Sequence, residues 1–518
     1  MTKYFLLIFS VIFLSCKDTN KTTEAIPVET ISENSYSEPF RPQFHFTPQE
    51  KWMNDPNGLV YNDGVYHLFY QYYPDDIVWG PMHWGHATSK DMIHWDHKPI
   101  ALYPDELGLI FSGSAVVDSN NSSGFGTKEN PPLVAIFTYH LMEGEKAGRK
   151  DFQTQGIAYS LDNGNTWTKY EGNPVIGNDG IKDFRDPKVF WDEDTSQWVL
   201  ILVAGDHAKF YKSSNLKDWE LMSEFGKDKG AHGGVWECPD LFKLKVGETE
   251  EEKWVLLISI NPGAPNGGSG TQYFVGEFDG KTFSTDQKET QWLDFGMDNY
   301  AGVTYNNVPN NDRIFIGWMS NWNYARDTPT EVWRSAMTLP RKLTLDKDES
   351  RYFLKNYPIA NFNKLKKLEK EINAITLDAP FEWEAENLNH KEISFTMNLK
   401  DEITVSVSNS LSENISLAFN PKEKKILFDR APPGIVDFED SFGKEIQSQP
   451  YMPIEKEVEV KIIIDQSSVE VFIDKGKNVF TNQIFPKQVY TKLDISGSEG
   501  AVISNLVINN IKSIWNEN

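Results

Sequence analysis

The sequence predicts an all-β protein of two domains, a first one built from repeated strand units and a second that is an antiparallel sandwich. Three observations carry this. Short apolar or alternating runs recur, V-Y-H-L-F-Y-Q (65–71), L-V-A-I-F-T-Y (133–139), W-V-L-I-L-V-A (198–204) and W-V-L-L-I-S-I (254–260). Gly, Asn, Asp and Pro clusters separate them, with no long helical period between. A polar turn precedes an aromatic in S-K-D-M-I-H-W (89–95), S-L-D-N-G-N-T-W (160–167) and S-N-L-K-D-W (214–219), and more loosely in F-D-G-K-T-F (278–283). Finally, composition shifts at 345–375, after which alternation becomes cleaner.

The elements follow in chain order. Phe5 to Leu14 is an apolar run too short to span a membrane as a helix, behind a weakly positive start. It ends F-L-S-C, so residues 1–15 resemble a bacterial lipoprotein signal with Cys16 as the lipidated first residue of the mature chain. An ordinary cleaved secretory signal is the alternative. Lys17-Asp18 resembles the surface-export tag of some Gram-negative lipoproteins. Residues 16–39 are polar and aperiodic and are expected to form a flexible tether. Cys238 is the one other cysteine, so a lipidated Cys16 leaves no intramolecular disulfide to hold an exported fold.

Residues 40–345 form the first domain. The four turn-plus-aromatic signals end at Trp95, Trp167, Trp219 and Phe283, spacings that suit one four-stranded unit with a long loop. Repeated β units of this size suggest propeller blades, and unrelated hairpins in a large sandwich would read alike. K-L-K-K-L-E-K-E (364–371) reads as a charged linker or short helix, placing a linker at 346–375. Residues 376–518 show the cleaner alternation, as in E-I-T-V-S-V-S (402–408) and S-V-E-V-F-I-D (468–474), and are expected to form the sandwich. No catalytic constellation stands out there, so a supporting or sugar-contacting role is expected.

Lys+Arg 51 against Asp+Glu 75 leaves a net charge of −24, which argues against nucleic acid or an anionic membrane surface as partner. Neutral, hydroxyl-rich ligands remain, and 16 Trp and 20 Tyr supply faces that suit sugars. Three acids stand out by context: Asp55 in a run of turn residues, N-D-P-N-G; Asp186 in D-F-R-D-P-K-V-F; and Glu237 in G-V-W-E-C-P-D-L-F. Each lies beside Pro, an aromatic or both, at a strand–loop junction of a different repeat. A propeller gathers such junctions at one end of its channel. One carboxyl against an aromatic wall could donate a proton while another, supplied with donors, stays ionised and attacks. A close pair of carboxylates is the arrangement of retaining glycoside hydrolysis. Arg185 beside Asp186 would keep that carboxylate ionised and oriented, or form a structural ion pair.

Beyond these, W-M-N-D-P-N-G-L (52–59), F-Y-Q (69–71), W-G-x-x-H-W-G-H-A (79–87), F-S-G-S-A-V (111–116), F-R-D-P-K-V (184–189) and W-E-C-P-D-L-F (236–242) resemble glycoside hydrolase family 32 in spacing and order. The likeness continues through D-F-G-x-D-x-Y-A (294–301), G-W-M-S-N-W (317–322), W-R-S-A-M-T-L-P-R (333–341) and D-x-S-S-V-E-V-F (465–472), covering residues 41–510. The resemblance implies a five-bladed β-propeller followed by a β-sandwich, and retaining hydrolysis of β-fructofuranosides without a cofactor or metal. It implies that Asp55 is the nucleophile, Glu237 the acid/base and Asp186 the transition-state stabiliser. It implies further that Asn54, Gln71, Trp79, Ser112 and Arg185 line the terminal-fructose pocket, with Trp318 as a wall. The motifs look most like exo-acting levanase or inulinase types, with fructan or sucrose as substrate. Intracellular sucrose hydrolase, fructosyltransferase and a non-catalytic glycan-binding protein are the alternatives. Oligomeric state has no signal.

Four decoys read as structural. His83, His86, His94 and His97 form two H-x-x-H pairs, but the members of such a pair face opposite sides of a strand, and the adjacent tryptophans point to packing. S-L-D-N-G-N-T-W resembles the aspartate box of sialidase propellers and marks a turn. Cys238 either tunes Glu237 or fills the core. N-G-G-S-G (266–270) lacks the strand-to-helix setting of a phosphate cradle.

Overall fold

The computed structural model describes residues 36–349, 351–432 and 434–515. The predicted signal at 1–15, the lipidation site Cys16 and the tether up to residue 35 lie outside the described residues. Strands dominate, and the one α-helix among the described residues is the five-residue Met142–Lys146.

The apolar runs become middle strands of blades. Blade 1 holds Lys51–Asn62, Val65–Tyr73, His83–Ser89 and Asp96–Leu102, and blade 2 holds Leu109–Val117, Leu133–His140, Gln153–Ser160 and Thr168–Lys169. Phe184–Asp192 opens blade 3, Val235–Lys245 blade 4 and Tyr300–Thr304 blade 5. The five opening strands each neighbour the next, the last one touching the first, which closes a ring around a central channel. Trp333–Arg334 adds a short parallel strand to the start of blade 1, Lys51 opposite Trp333, and fastens the closure. This is a five-bladed β-propeller, and the large-sandwich reading of the repeat is discarded.

Packing between blades explains why these strands are apolar on both sides. Val199, Ile201 and Val203 of one strand meet Leu256 and Ile258 of blade 4. Leu200 and Leu202 of that same strand face Val134 and Ile136 of blade 2. A middle strand with two buried faces cannot show polar alternation. The sandwich has one buried face per sheet and does alternate: Ile403, Val405 and Val407 are buried while Thr404, Ser406 and Ser408 are half-buried. Its two sheets have six strands each.

Two expected boundaries move. Residues 346–375 are not a linker. Arg341–Lys347 and Tyr352–Pro358 are the outer strands of blade 5, and Lys366–Thr376 is an edge strand of the sandwich, paired with Val502–Ile511. Its lysines and glutamates suit an edge, where charge discourages pairing with another chain. That composition imitates a linker. Residues 36–39, expected at the end of a tether, belong to the fold, since Tyr36 stacks on Trp515 at 3.9 Å with the rings 6° from parallel.

The second-domain motif D-x-S-S-V-E-V-F serves docking. Buried Arg341 of the propeller reaches Glu470 at 2.6 Å and Asp294 at 3.1 Å, and His45 Nδ1 lies 2.7 Å from Asp465. Arg430 of the sandwich reaches back to Asp298 at 2.8 Å. Breaking one partner of such buried pairs leaves an uncompensated charge, so the two domains are held in one register.

Candidate active site

The opening strand of every blade carries an irregularity near its beginning. Register slips between Met53 and Pro56, Ile110 and Gly113, Glu237 and Asp240, and Tyr300 and Val303; in blade 3 it slips across the 185–188 segment, opposite Ile201 and Val203. Asp186, Cys238 and Ala301 take φ of +63°, +46° and +53°. A bulge re-aims a side chain toward the axis that regular pleating would send into a blade. N-D-P-N-G is therefore a bulged strand, not the turn its composition suggests. Pro cannot donate to the ladder and Gly58 sits at φ +53°, so these residues serve a bulge as they would a turn. A Cβ on Gly58 would come within 2.7 Å of Phe69 and 2.8 Å of Trp84.

Asp55, Ser112, Asp186, Glu237 and Tyr300 thus converge, one from each blade. Ser112 Oγ donates to Asp55 Oδ2 at 2.7 Å, and Asn54 Nδ2 donates to Oδ1 at 3.0 Å. Trp52 Nε1 fixes Asn54 through Oδ1 at 2.7 Å. Asn57, read as a turn residue, is fully buried and ties the Asp55 carbonyl (2.8 Å) to the Gly113 amide (3.2 Å). Burial and the Glu237 charge raise the Asp55 carboxyl, against the lowering effect of Ser112 and Asn54.

Arg185 makes its shorter contacts elsewhere than Asp186. Its Nε and Nη2 lie 3.2 and 3.1 Å from Glu237 Oε1, and Nη1 donates to Asp183 at 2.8 Å, while Asp186 is 3.9 Å away. The guanidinium clamps Glu237 across two blades. Asp186 has instead the Cys238 amide at 2.9 Å, and it is pushed up to about 7, by burial first and then by Glu237 and Asp55 outweighing Arg185. Arg185 favours the ionised form of Asp186, as expected, but from 3.9 Å, and burial with the two neighbouring carboxylates outweighs it. Tyr300 OH donates to the other Glu237 oxygen, Oε2. Cys238 belongs to the core, yet its sulfur lies 3.7 Å from Oδ2 of both Asp55 and Asp186, so it touches those two acids. Burial and the surrounding carboxylates raise the thiol well above its usual range and keep it protonated.

The remaining predicted residues divide. Gln71 is buried with its Nε2 unpartnered, and Trp79 is half-buried and edge-on to Phe111 at 6.1 Å. Trp318 cannot be a wall, because it is fully buried beneath Tyr300 and Trp322. Half-exposed Trp322 holds the open position, its amide donating to Ser269 of the Gly-rich 266–270 loop at 3.1 Å. Tyr300, Phe111 and Trp322 stood inside recognised motifs without being singled out. Thr138, whose Oγ1 accepts the Asp186 N–H at 3.0 Å, had no sequence signal. The histidine pairs diverge: His86 stacks on Phe69 (4.2 Å), His97 on Phe46 (5.2 Å), and His94 pairs with Asp91 (3.0 Å). No metal-binding group of three His, Cys, Asp or Glu occurs among the described residues. Asp162 of the aspartate-box segment closes a turn with Thr166.

Comparison with known proteins gives concordant matches. Residues 45–358 match the glycosyl hydrolases family 32 N-terminal domain, and residues 360–512 match the family's C-terminal domain. The chain is 44% identical over 506 residues to a levanase of Bacillus subtilis (strain 168), covering 95% of this chain and 73% of that one. It is 40% identical over 527 residues to an extracellular exo-inulinase of Aspergillus niger, covering 93% and 96%. Among solved structures, the exo-inulinase from Aspergillus awamori superposes with a TM-score of 0.84 at 38% identity, covering 93% of this chain and all of that one. A β-fructofuranosidase from Schwanniomyces occidentalis complexed with fructosyl-erythritol gives 0.82 at 31% identity, covering 94% and 100%.

Proposed function

The chain belongs to glycosyl hydrolase family 32, and from that premise we propose how its five-blade constellation works. It is an exo-acting β-fructofuranosidase that hydrolyses fructans and sucrose. The observation that carries the mechanism is the differing equipment of the acids: Asp55 holds two side-chain donors, while Glu237 is gripped by Arg185 and Tyr300.

Asp55 attacks the anomeric C2 of the terminal fructosyl unit. The C2–O bond to the leaving group breaks and Glu237 gives that oxygen its proton. A fructosyl ester on Asp55 results. Water then attacks C2, Glu237 takes the water's proton, and Asp55 leaves as carboxylate with net retention. Asp186, titrating near neutrality, faces the sugar hydroxyls and stabilises the oxocarbenium-like transition state. Gln71, Ser112, Asn54, Arg185, Trp79 and Trp322 form the pocket, Gln71 with an Nε2 donor that has no protein partner.

Export through the N-terminal signal and anchoring through lipid on Cys16 complete the reading; the apolar run ending F-L-S-C supports it. Labelling with a fatty acid that disappears in Cys16→Ser checks the anchor. For the activity, the protein is incubated with levan, inulin and sucrose and the products are resolved over time. Free fructose as first product is expected. Oligofructosides as first products would overturn exo action, and no fructose from any substrate would overturn the hydrolase reading.

A further inference from the structure

Aromatic residues make up 13% of this chain, and nearly all are spent in packing. Tyr103, at 55% exposure, is the exception: no other aromatic side chain among the described residues is as open. A lone exposed ring needs no explanation in general. Its setting is what gives this one meaning.

Tyr103 lies in the connection from the outermost strand of blade 1, Asp96–Leu102, to the opening strand of blade 2, Leu109–Val117. That connection returns the chain to the face on which the opening strands begin, the face of the acids. Ile110 N donates to Met82 O at 3.0 Å, and Trp84 Nε1 to Phe111 O at 3.0 Å, joining it to the segment that carries Trp79. The connection is braced. Lys169 of blade 2 bonds both the Tyr103 carbonyl and Asp105, Tyr139 OH donates to Asp105 at 3.0 Å, and Asp105 caps the Leu107 amide at 2.8 Å. The backbone is fixed while the ring stays open. His83 supports the ring edge-on at 5.4 Å and 82°, and is itself held by Pro81 O at 2.9 Å.

His83 and Trp79 belong to one segment, Trp79 stands edge-on to Phe111, and Phe111 adjoins Ser112, whose hydroxyl holds Asp55. Trp79 and Phe111 therefore lie at the nucleophile end of this region and His83 with Tyr103 on the blade 1–2 rim, in a connection that also carries the exposed Glu106. A sugar presents an apolar C–H face and hydroxyl edges, which a rigid aromatic face and a neighbouring acceptor match.

We propose that Tyr103, backed by His83, is a stacking platform for fructose units of a fructan chain beyond the bond that is cut. This rests on the β-fructofuranosidase reading and adds where the remainder of the polymer lies. Sucrose, with one unit beyond the scissile bond, does not reach the rim.

The test is Tyr103→Ala in the full chain, with initial fructose release measured on levan, inulin and sucrose. kcat/KM on at least one polymer falls about three- to tenfold, the value of one aromatic stack, through KM rather than kcat. Sucrose hydrolysis is unchanged, and Tyr103→Trp retains polymer activity. Unchanged KM on both polymers would overturn the platform, as would a parallel loss on sucrose. Failure of the parent protein on all three substrates would instead overturn the functional reading beneath it.

Discussion

Replacing Arg185 with Lys separates the two roles that its position permits. Lysine keeps a positive charge near Asp183, Asp186 and Glu237 but cannot reproduce the guanidinium fork. The structure gives Arg185 two contacts to Glu237 Oε1, at 3.2 and 3.1 Å, and only a 3.9 Å approach to Asp186. Hydrogen bonds to charged groups contribute about 1.5–3 kcal/mol each. Losing the equivalent of one lowers kcat/KM by about 10- to 150-fold. The assay compares sucrose with an aryl β-fructofuranoside whose phenolate leaves without protonation. A damaged proton donor is bypassed by that leaving group, so the variant recovers most of its rate on the aryl substrate. An equal loss on both substrates would mean that Arg185 acts through Asp186 or through substrate binding, and would refute the clamp on Glu237.

Further outcomes follow from the same geometry. Asp55→Ala and Glu237→Ala each abolish sucrose hydrolysis while the protein stays folded; near-normal turnover in either would refute its role. Ser112→Ala removes a bond that favours ionised Asp55, so the acidic limb of the kcat/KM profile moves to higher pH, and a limb that stays put or moves down contradicts the assignment. Trp318→Ala costs about 3–5 kcal/mol of stability as a buried large-to-small change, whereas Trp322→Ala keeps its stability and raises KM. His45, buried against Asp465 and Glu470, is raised from 6.5 to about 9. Protonated His45 therefore contributes stability that is complete below pH 6.5 and is lost as pH rises through about 9, on the order of 3 kcal/mol, and His45→Gln flattens that slope in pH-dependent thermal melts.

Much of this arrangement is legible in the sequence because strand character and bulge-forming residues are local properties. Each X-Pro pair beside an acid marks a place where a ladder hydrogen bond is missing, and Asp55-Pro56, Asp186-Pro187 and Cys238-Pro239 line one small cavity beneath the site, apart from Asp55 itself. What is not local is not legible. The partner of Arg185 is 52 residues away in the next blade, while Asp183 and Asp186 are its sequence neighbours. In G-W-M-S-N-W the strand ends at Met319, which buries Trp318 and leaves Trp322 in the loop; the tryptophans alone give no strand end. Lys366–Thr376 resembles a linker because an edge strand keeps its charges in water. Motif likeness points to Gln71, but its unpaired Nε2 is visible only in three dimensions.

Retaining hydrolysis passes through a covalent fructosyl ester on Asp55. Glu237→Gln removes the base that activates water for the second step while leaving Asp55 with its donors. Loading this variant with the aryl β-fructofuranoside, quenching in acid and mapping peptides by mass spectrometry tests the claim directly. A gain of one anhydrofructose unit on the peptide containing Asp55 is expected. An adduct on a peptide carrying Asp186 instead, or rapid release of the aryl group with no adduct and an inverted fructose as first product, would contradict it.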